Sequence, residues 1–317
     1  MNSAGYSRHL DLYLELRRAV GFVMRVEERL LRDFLRYIDA CDGSSTSTAQ
    51  LAVDWACSVQ IRSGSGTHAG RLSVVRGFLT YLQSSFPDVR VPSANLVAGA
   101  RRPKPHIFST AEIQDLMKAA QSLGPQESLR PDTYVTLIGL VLSCGLRAGE
   151  AIRLEASDVV LDASPPHLVV RKTKFRKSRL VPMHSTTAES MRAYAARRQH
   201  HGYDRVCDAF FVSENGKPLV YQTVARNFVA IARRLGIRGP GNERGASLHS
   251  LRHTFAVSRM LAWYRDGVDV QARLPELSVY LGHVRPQETY WYLTATPELL
   301  GAASARFESF SSDGGTS

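Results

Sequence analysis

The sequence predicts a mainly α-helical protein with one small antiparallel β-sheet: an N-terminal helical bundle followed by a larger α+β domain. Three observations carry this. Apolar residues recur at helical spacing through most of the first hundred positions. Two β-branched, alternating runs, LVVRKTK and SRLVPM, flank a short basic turn, which is the pattern of a hairpin. The chain has 317 residues, enough for two domains that each bury a core.

In the first part, Val26, Leu30, Leu31, Phe34, Leu35 and Ile38 keep helical spacing, with charged residues between them. The loop CDGSSTSTAQ follows, and Ser47 or Thr48 caps a helix through Trp55. Gly64-Ser65-Gly66 breaks the chain before a helix from His68 to Gln83. About four helices are expected over residues 1–98. Residues 99–108 read as a basic, proline-containing linker, because Pro103 and Pro105 favour extended backbone. Its Arg101, Arg102 and Lys104 either track a phosphate backbone or are simply solvated.

The second domain is expected over residues 109–296. Ser109 or Thr110 caps a helix over Ala111–Leu123. YVTLIGLVL (Tyr134–Leu142) is apolar nearly all round, so it reads as a buried core helix ending at Cys144-Gly145. The hairpin follows, then helices over Thr187–Gln199, Tyr221–Leu235, Leu248–Trp263, Glu276–Leu281 and Gln287–Leu293. Residues 297–317 form a tail, with a disordered end expected at SSDGGTS.

Composition narrows the partners. Hydrophobic content of 44% against 22% charged residues describes a globular chain. No apolar run is long enough to span a bilayer, and the N-terminal residues lack a signal-peptide core, so no membrane partner and a cytoplasmic location are expected. Cys41, Cys57, Cys144 and Cys207 form no CxxC pair, so neither structural zinc nor a disulfide framework is expected. The formal net charge is +11, which suits a polyanion. It is uneven: residues 1–100 carry +2 and residues 101–317 carry +9.

Five short motifs carry chemistry. In CGLRAGE, Arg147 sits at a helix start after a sharp glycine turn, and Glu150 is placed to orient it. Six of the nine residues from Arg171 to Arg179 are basic, at a predicted hairpin tip that reaches outward. There Lys172 and Lys174 share one strand face, and a solvated basic turn is the plainer reading for most of the six. In SLHSLRHTFA, His249, Arg252 and His253 share one helix face. The His-His spacing fits two zinc ligands, but the zincin pattern needs Glu where Ser250 stands, so a metal-dependent nuclease is not expected. In YLGHVRP, His283 follows a helix-ending glycine, and in ETYWYL, Tyr290 and Tyr292 point about 200° apart on a helix.

Taken in order, Arg147, the hairpin lysine, His249, Arg252, His283 and a tyrosine nine residues on resemble the tyrosine recombinase (phage integrase) family. KSRLVPM and ENGKPLVYQTVARNFVAIARRLGI agree with it, and the resemblance covers about Ser109 to Thr296. The helical first part is similar to the family's core-binding domain in size and helix content only. The resemblance implies a DNA strand transferase working through a 3′-phosphotyrosine. Arg147 and Arg252 would clamp the phosphate, and Tyr292 would attack it. Lys174 would protonate the leaving oxygen, with Lys172 as its rival. His249 would act as general base or acid, His283 would donate to the phosphate, Glu150 would support from behind and His253 would be structural. Lys172, Arg176 and Lys177 join the linker cations as DNA-binding candidates. The resemblance implies double-stranded DNA as partner, self-association into a tetramer, partner recombinases as further candidates, and no cofactor or metal. A non-catalytic accessory member that only grips DNA is the alternative.

Two departures stand out. Thr173 and Phe175 flank Lys174 where the family often has glycines, and the segment between Arg252 and LGH is long enough to carry an added loop. In the tail, Leu299, Leu300, Ala303, Phe307 and Phe310 form an apolar stripe, expected to dock on a neighbouring protomer in the active complex.

Overall fold

The computed structural model describes residues 3–41, 46–60, 66–99, 104–125, 127–171, 178–241, 243, 245–283, 285, 287–294, 299 and 301. The chain divides into two compact units, Met1–Pro103 and Lys104–Ser317.

The first unit is a four-helix bundle of α1 (Ser3–Ala19), α2 (Arg25–Ala40), α3 (Thr48–Cys57) and α4 (Thr67–Leu82). Its core is built from the apolar faces of these helices: Leu10 and Leu14, Leu31 and Phe34, Trp55, and Phe78 with Leu79 are all buried, whereas Val26 of the stripe read in the sequence is exposed. Ser47 is the N-cap of α3, its hydroxyl accepting from the Gln50 N–H at 3.3 Å. The Trp55 indole donates to Asp33 at 3.1 Å, so its N–H is satisfied, and the Arg71 guanidinium lies over its ring at 3.8 Å.

The second unit opens with α5 (Thr110–Gln121), which a reciprocal Ser109–Glu112 capping box starts. Phe108, at the end of the stretch read as linker, is buried and donates its N–H to Thr254 Oγ1 at 2.9 Å. Next come α6 (Arg130–Cys144) and α7 (Ala148–Ile152). As its all-round apolarity predicts, α6 lies at the centre, packed against α5, α8 (Ser185–His200) and α10 (Leu248–Arg265). The sheet has three antiparallel strands in sequence order: β1 (Val159–Val160), β2 (His167–Val170) and β3 (Arg179–Pro182). Val170 pairs with Arg179, the last ladder pair among the described residues. α9 (Tyr221–Arg234) completes this core.

The last elements differ from expectation. α11 runs over Val270–Leu281 rather than Glu276–Leu281, so the expected added loop is instead mostly helix. Pro275 lies inside it, at a position that costs a helix one hydrogen bond. The helix begins earlier because Asp269 caps it, accepting from Gln271 and Ala272, and because Val270, Leu274, Leu277 and Leu281 are all buried. α12 (Gln287–Tyr290) then tightens into a 3₁₀ turn over Trp291–Thr294. Of the tail stripe, Leu299 is buried in the cluster of its own unit that holds Phe255, Met260 and Tyr292. Leu300, Ala303, Phe307, Phe310 and SSDGGTS lie outside the described residues. No helix among the described residues is long and apolar enough to cross a membrane.

Candidate active site

Three arginines converge on the C-terminal end of α11. The last carbonyls of a helix have no partner within it and carry the negative end of its dipole, so they attract cations. Arg179 Nε donates to the Tyr280 carbonyl at 3.0 Å, Arg252 Nη2 to Leu281 at 2.8 Å and Arg147 Nη2 to Gly282 at 3.0 Å. Arg252 Nη1 donates to the carbonyl of Gly145, the C-cap of α6, at 2.9 Å. Two helix C-termini therefore aim at the Arg252 guanidinium.

Both glycines are required where they stand. Gly145 has φ +61° and Gly282 has φ +68°, a region that costs an L-residue with a Cβ. A Cβ on Gly145 would meet the Phe255 ring at 2.3 Å, and one on Gly282 would meet Arg179 Nη1 at 2.8 Å. The sharp turns at CGLR and LGH thus let arginines approach backbone.

Glu150 organises two of the arginines from below. It is buried at the start of α7, and its carboxylate accepts from the Arg147 N–H at 3.1 Å and from Arg147 Nη1 at 2.9 Å. It also accepts from Arg179 Nη2 at 2.8 Å and Nη1 at 3.3 Å. Burial alone would raise the Glu150 carboxyl. The hydrogen bond and charge of Arg179, followed by the bonds from Arg147, outweigh it and hold it down to about 2.

Arg252 has no exposed surface, so its charge carries the full cost of desolvation. Burial, with the like charge of Arg147 next, pulls it down to about 10, so it stays a cation at neutral pH. Its Nε is buried and makes no hydrogen bond within the described residues. An anion seated there would satisfy a donor that the fold does not, which is the expected chemistry of an oxyanion clamp.

A row of rings lies beside the guanidiniums. Exposed His249 packs edge-on against His253 at 4.3 Å between ring centroids. His253 is buried and lies 5.3 Å from the Tyr292 ring and 5.4 Å from Trp291. His283 is stacked on Tyr292 at 6.2 Å, and its Nδ1 is 2.7 Å from the hydroxyl of Thr289. Tyr292 is only 1% exposed whereas Tyr290 is 46% exposed, so the two tyrosines occupy opposite environments.

Arg147, Glu150, Arg252, His283 and Tyr292 are thus gathered at one end of α11, with His249 reaching them through His253. Lys104 is exposed. Lys172, Lys174, Arg176 and Lys177 of the hairpin, and Arg101 and Arg102 of the linker, lie outside the described residues. One residue that sequence reasoning missed is Arg179. It is the last of the six cations among residues 171–179, and only strand pairing separates it from the turn. Its place on the same strand face as buried Val181, two residues on, was the available signal.

Comparison with known proteins gives the family. Residues 107–298 match the model of the phage integrase family. The integrase/recombinase y4rB of Sinorhizobium fredii is 39% identical over 93% of this chain and 95% of its own length. The tyrosine recombinase XerD of Bradyrhizobium diazoefficiens is 26% identical over 93% of this chain and 86% of that protein. Among solved structures, the XerH site-specific recombinase in a post-cleavage complex with palindromic difH substrate superposes with a TM-score of 0.66 at 18% identity, covering 97% of this chain and 85% of that one. The Tn1549 transposon integrase bound to transposon right-end DNA gives 0.63 at 15% identity, over 96% and 99% of the two chains. With a family match across most of the second unit and a relative similar end to end, this chain belongs to the phage integrase family.

Proposed function

We propose that this protein is a site-specific DNA strand transferase that cuts and rejoins DNA through a 3′-phosphotyrosine, with Tyr292 as nucleophile. The observation that carries the reading is the convergence of Arg147 and Arg252 on the end of α11, beside a tyrosine flanked by two imidazoles. When an oxygen nucleophile attacks a phosphodiester, negative charge grows on the non-bridging oxygens. Two guanidiniums fixed by backbone carbonyls are preorganised to receive it.

In this reading the Tyr292 oxygen forms a bond to phosphorus and the bond to the 5′-oxygen breaks. The tyrosine proton passes to His249, and Lys174 on the hairpin delivers a proton to the departing 5′-oxygen. His283 donates to the phosphate, and Glu150 holds Arg147 in place. A second DNA end reverses the same steps, so the bond energy is conserved. Neither a metal nor a nucleotide is required. The Tyr292 ring and the Arg252 guanidinium are both buried, so DNA must draw Tyr292 out of its cluster before the two can share a phosphate. The first unit and the basic linker would hold the duplex in the cytoplasm, with four copies assembling on paired sites and partner recombinases joining where the sites differ.

A nicked duplex that loses its short leaving strand traps the covalent intermediate. Wild-type protein should form the adduct and Tyr292→Phe should bind the same DNA without forming it, while Tyr290→Phe should remain competent. An adduct that survives Tyr292→Phe but disappears in Tyr290→Phe reverses the assignment. Tight binding with no adduct in the wild type would make the chain an accessory DNA-binding member.

A further inference from the structure

The hairpin cations are not alike. Of the six basic residues between Arg171 and Arg179, two are described. The Arg171 side chain is 53% exposed and pairs with Asp158. The Arg179 side chain is 13% exposed and makes its bonds inward, to both oxygens of Glu150 and to the Tyr280 carbonyl. Its seat is built on both sides: Val170 holds its strand position, and only a glycine at 282 leaves room for the guanidinium.

Charge balance gives this seat a purpose. Glu150 is needed to pin the Arg147 backbone and side chain. Its full negative charge, however, is buried close to where a phosphate would gather further negative charge, and it offsets the Arg147 cation. With Arg147 and Arg252 alone against Glu150, the cluster carries one net positive charge. Arg179 raises this to two. Bound to both carboxylate oxygens, it lets Glu150 keep its hydrogen bonds to Arg147 without cancelling Arg147's charge.

We propose that Arg179 is a positioning residue that acts through Glu150, neutralising that carboxylate so that Arg147 and Arg252 present two uncompensated charges to the scissile phosphate. The proposal rests on the strand-transfer reading above. A plain cross-tie between β3, α7 and α11 is the competing role, and it depends on bonds rather than on charge.

The test measures the rate of covalent adduct formation on the nicked duplex at saturating protein, with DNA affinity and melting temperature recorded for each variant. Arg179→Gln keeps a donor but loses the charge. It should bind DNA within a few-fold of wild type and react about 10²-fold more slowly, the scale of one preorganised electrostatic contribution to the transition state. Adding Glu150→Gln removes the unbalanced carboxylate charge and should recover about tenfold of that loss, one charge term within the same stabilisation. Arg179→Lys should remain within about tenfold of wild type, because the charge is kept even though the fork geometry is lost. A folded double variant no faster than Arg179→Gln overturns the charge role and leaves the cross-tie. Should Arg179→Gln fail to fold, Arg179→Lys decides alone: a folded, DNA-binding lysine variant that reacts about 10²-fold more slowly than wild type, the whole of that stabilisation, overturns the proposal. Tyr292→Phe, run in parallel, separates the two levels. An adduct independent of Tyr292 defeats the strand-transfer reading, whereas a Tyr292-dependent adduct without charge recovery defeats only the role of Arg179.

Discussion

Helices α2 and α10 are both long and rich in arginine, yet they treat charge in opposite ways. On α2, Arg32 bonds Glu28 and Asp11, and Arg36 bonds Asp33, all on side chains that are at least one quarter exposed. Such pairs exchange water for a partner at little net gain. Buried Leu31, Phe34, Leu35 and Ile38 on the other face hold the helix in place. On α10 the first three turns are buried almost throughout, including Ser250, Arg252, His253 and Thr254. A fully buried arginine held by backbone carbonyls rather than by a carboxylate is a costly way to stabilise a fold. Thus α2 is built for stability by apolar contact, and α10 around a charge kept for use.

Substitutions on the two helices should therefore fail in different assays. The largest effect is expected at the clamp. Arg147→Ala and Arg252→Ala should each slow adduct formation by about 10²–10³-fold, as for an oxyanion donor, with a much smaller loss in DNA affinity by gel shift. Equal losses in binding and cleavage would make them ordinary backbone contacts and erase the contrast with α2.

A second effect is set by pH. The Glu150 carboxyl is held down to about 2 in the fold, against an ordinary carboxylate value of 4.5. A lowered value means that its contribution is full above the unfolded value and is lost as pH falls from about 4.5 through about 2. The size is on the order of 3 kcal/mol. Denaturant midpoints measured down this range should fall more steeply for wild type than for Glu150→Gln. Parallel curves would mean that the carboxylate is not held by the arginines.

Next in size is Gly145→Ala. The positive φ and the collision of the new methyl with Phe255 should together cost about 2 kcal/mol or more, read as a lowered melting temperature. Because the Gly145 carbonyl holds Arg252, cleavage should fall as well. Gly70, on α4 and with open space around its Cβ position, is the control: Gly70→Ala should be neutral or slightly stabilising. The smallest effect is expected on α2, where Arg32→Ala should change stability by less than about 1 kcal/mol, and less again in high salt. A large, salt-insensitive loss there would overturn the reading of α2 as an apolar-packed helix with a solvated charged face.

Most of the helices were legible because their signals are local. The apolar stripe of α2, the Ser109–Glu112 cap and the all-round apolarity of α6 each act between residues no more than a turn or two apart. The start of α11 was hidden because Pro275 suggests a boundary, and only the buried contacts of Val270 and Leu274 show that the helix runs through it.

The helical class, the β2–β3 hairpin and the ordered series of Arg147, His249, Arg252, His283 and Tyr292 were readable from the chain alone, because residue type and spacing are written along it. Tertiary structure alone decided how those residues are held. Arg179 reaches a carbonyl 101 residues away, Arg252 one 107 residues away and Arg147 one 135 residues away. Contacts of that separation follow from which helix ends the packed core brings together, and no local periodicity encodes them. The same packing buries Tyr292 and exposes Tyr290, and it turns the last cation of a basic run into a partner of Glu150.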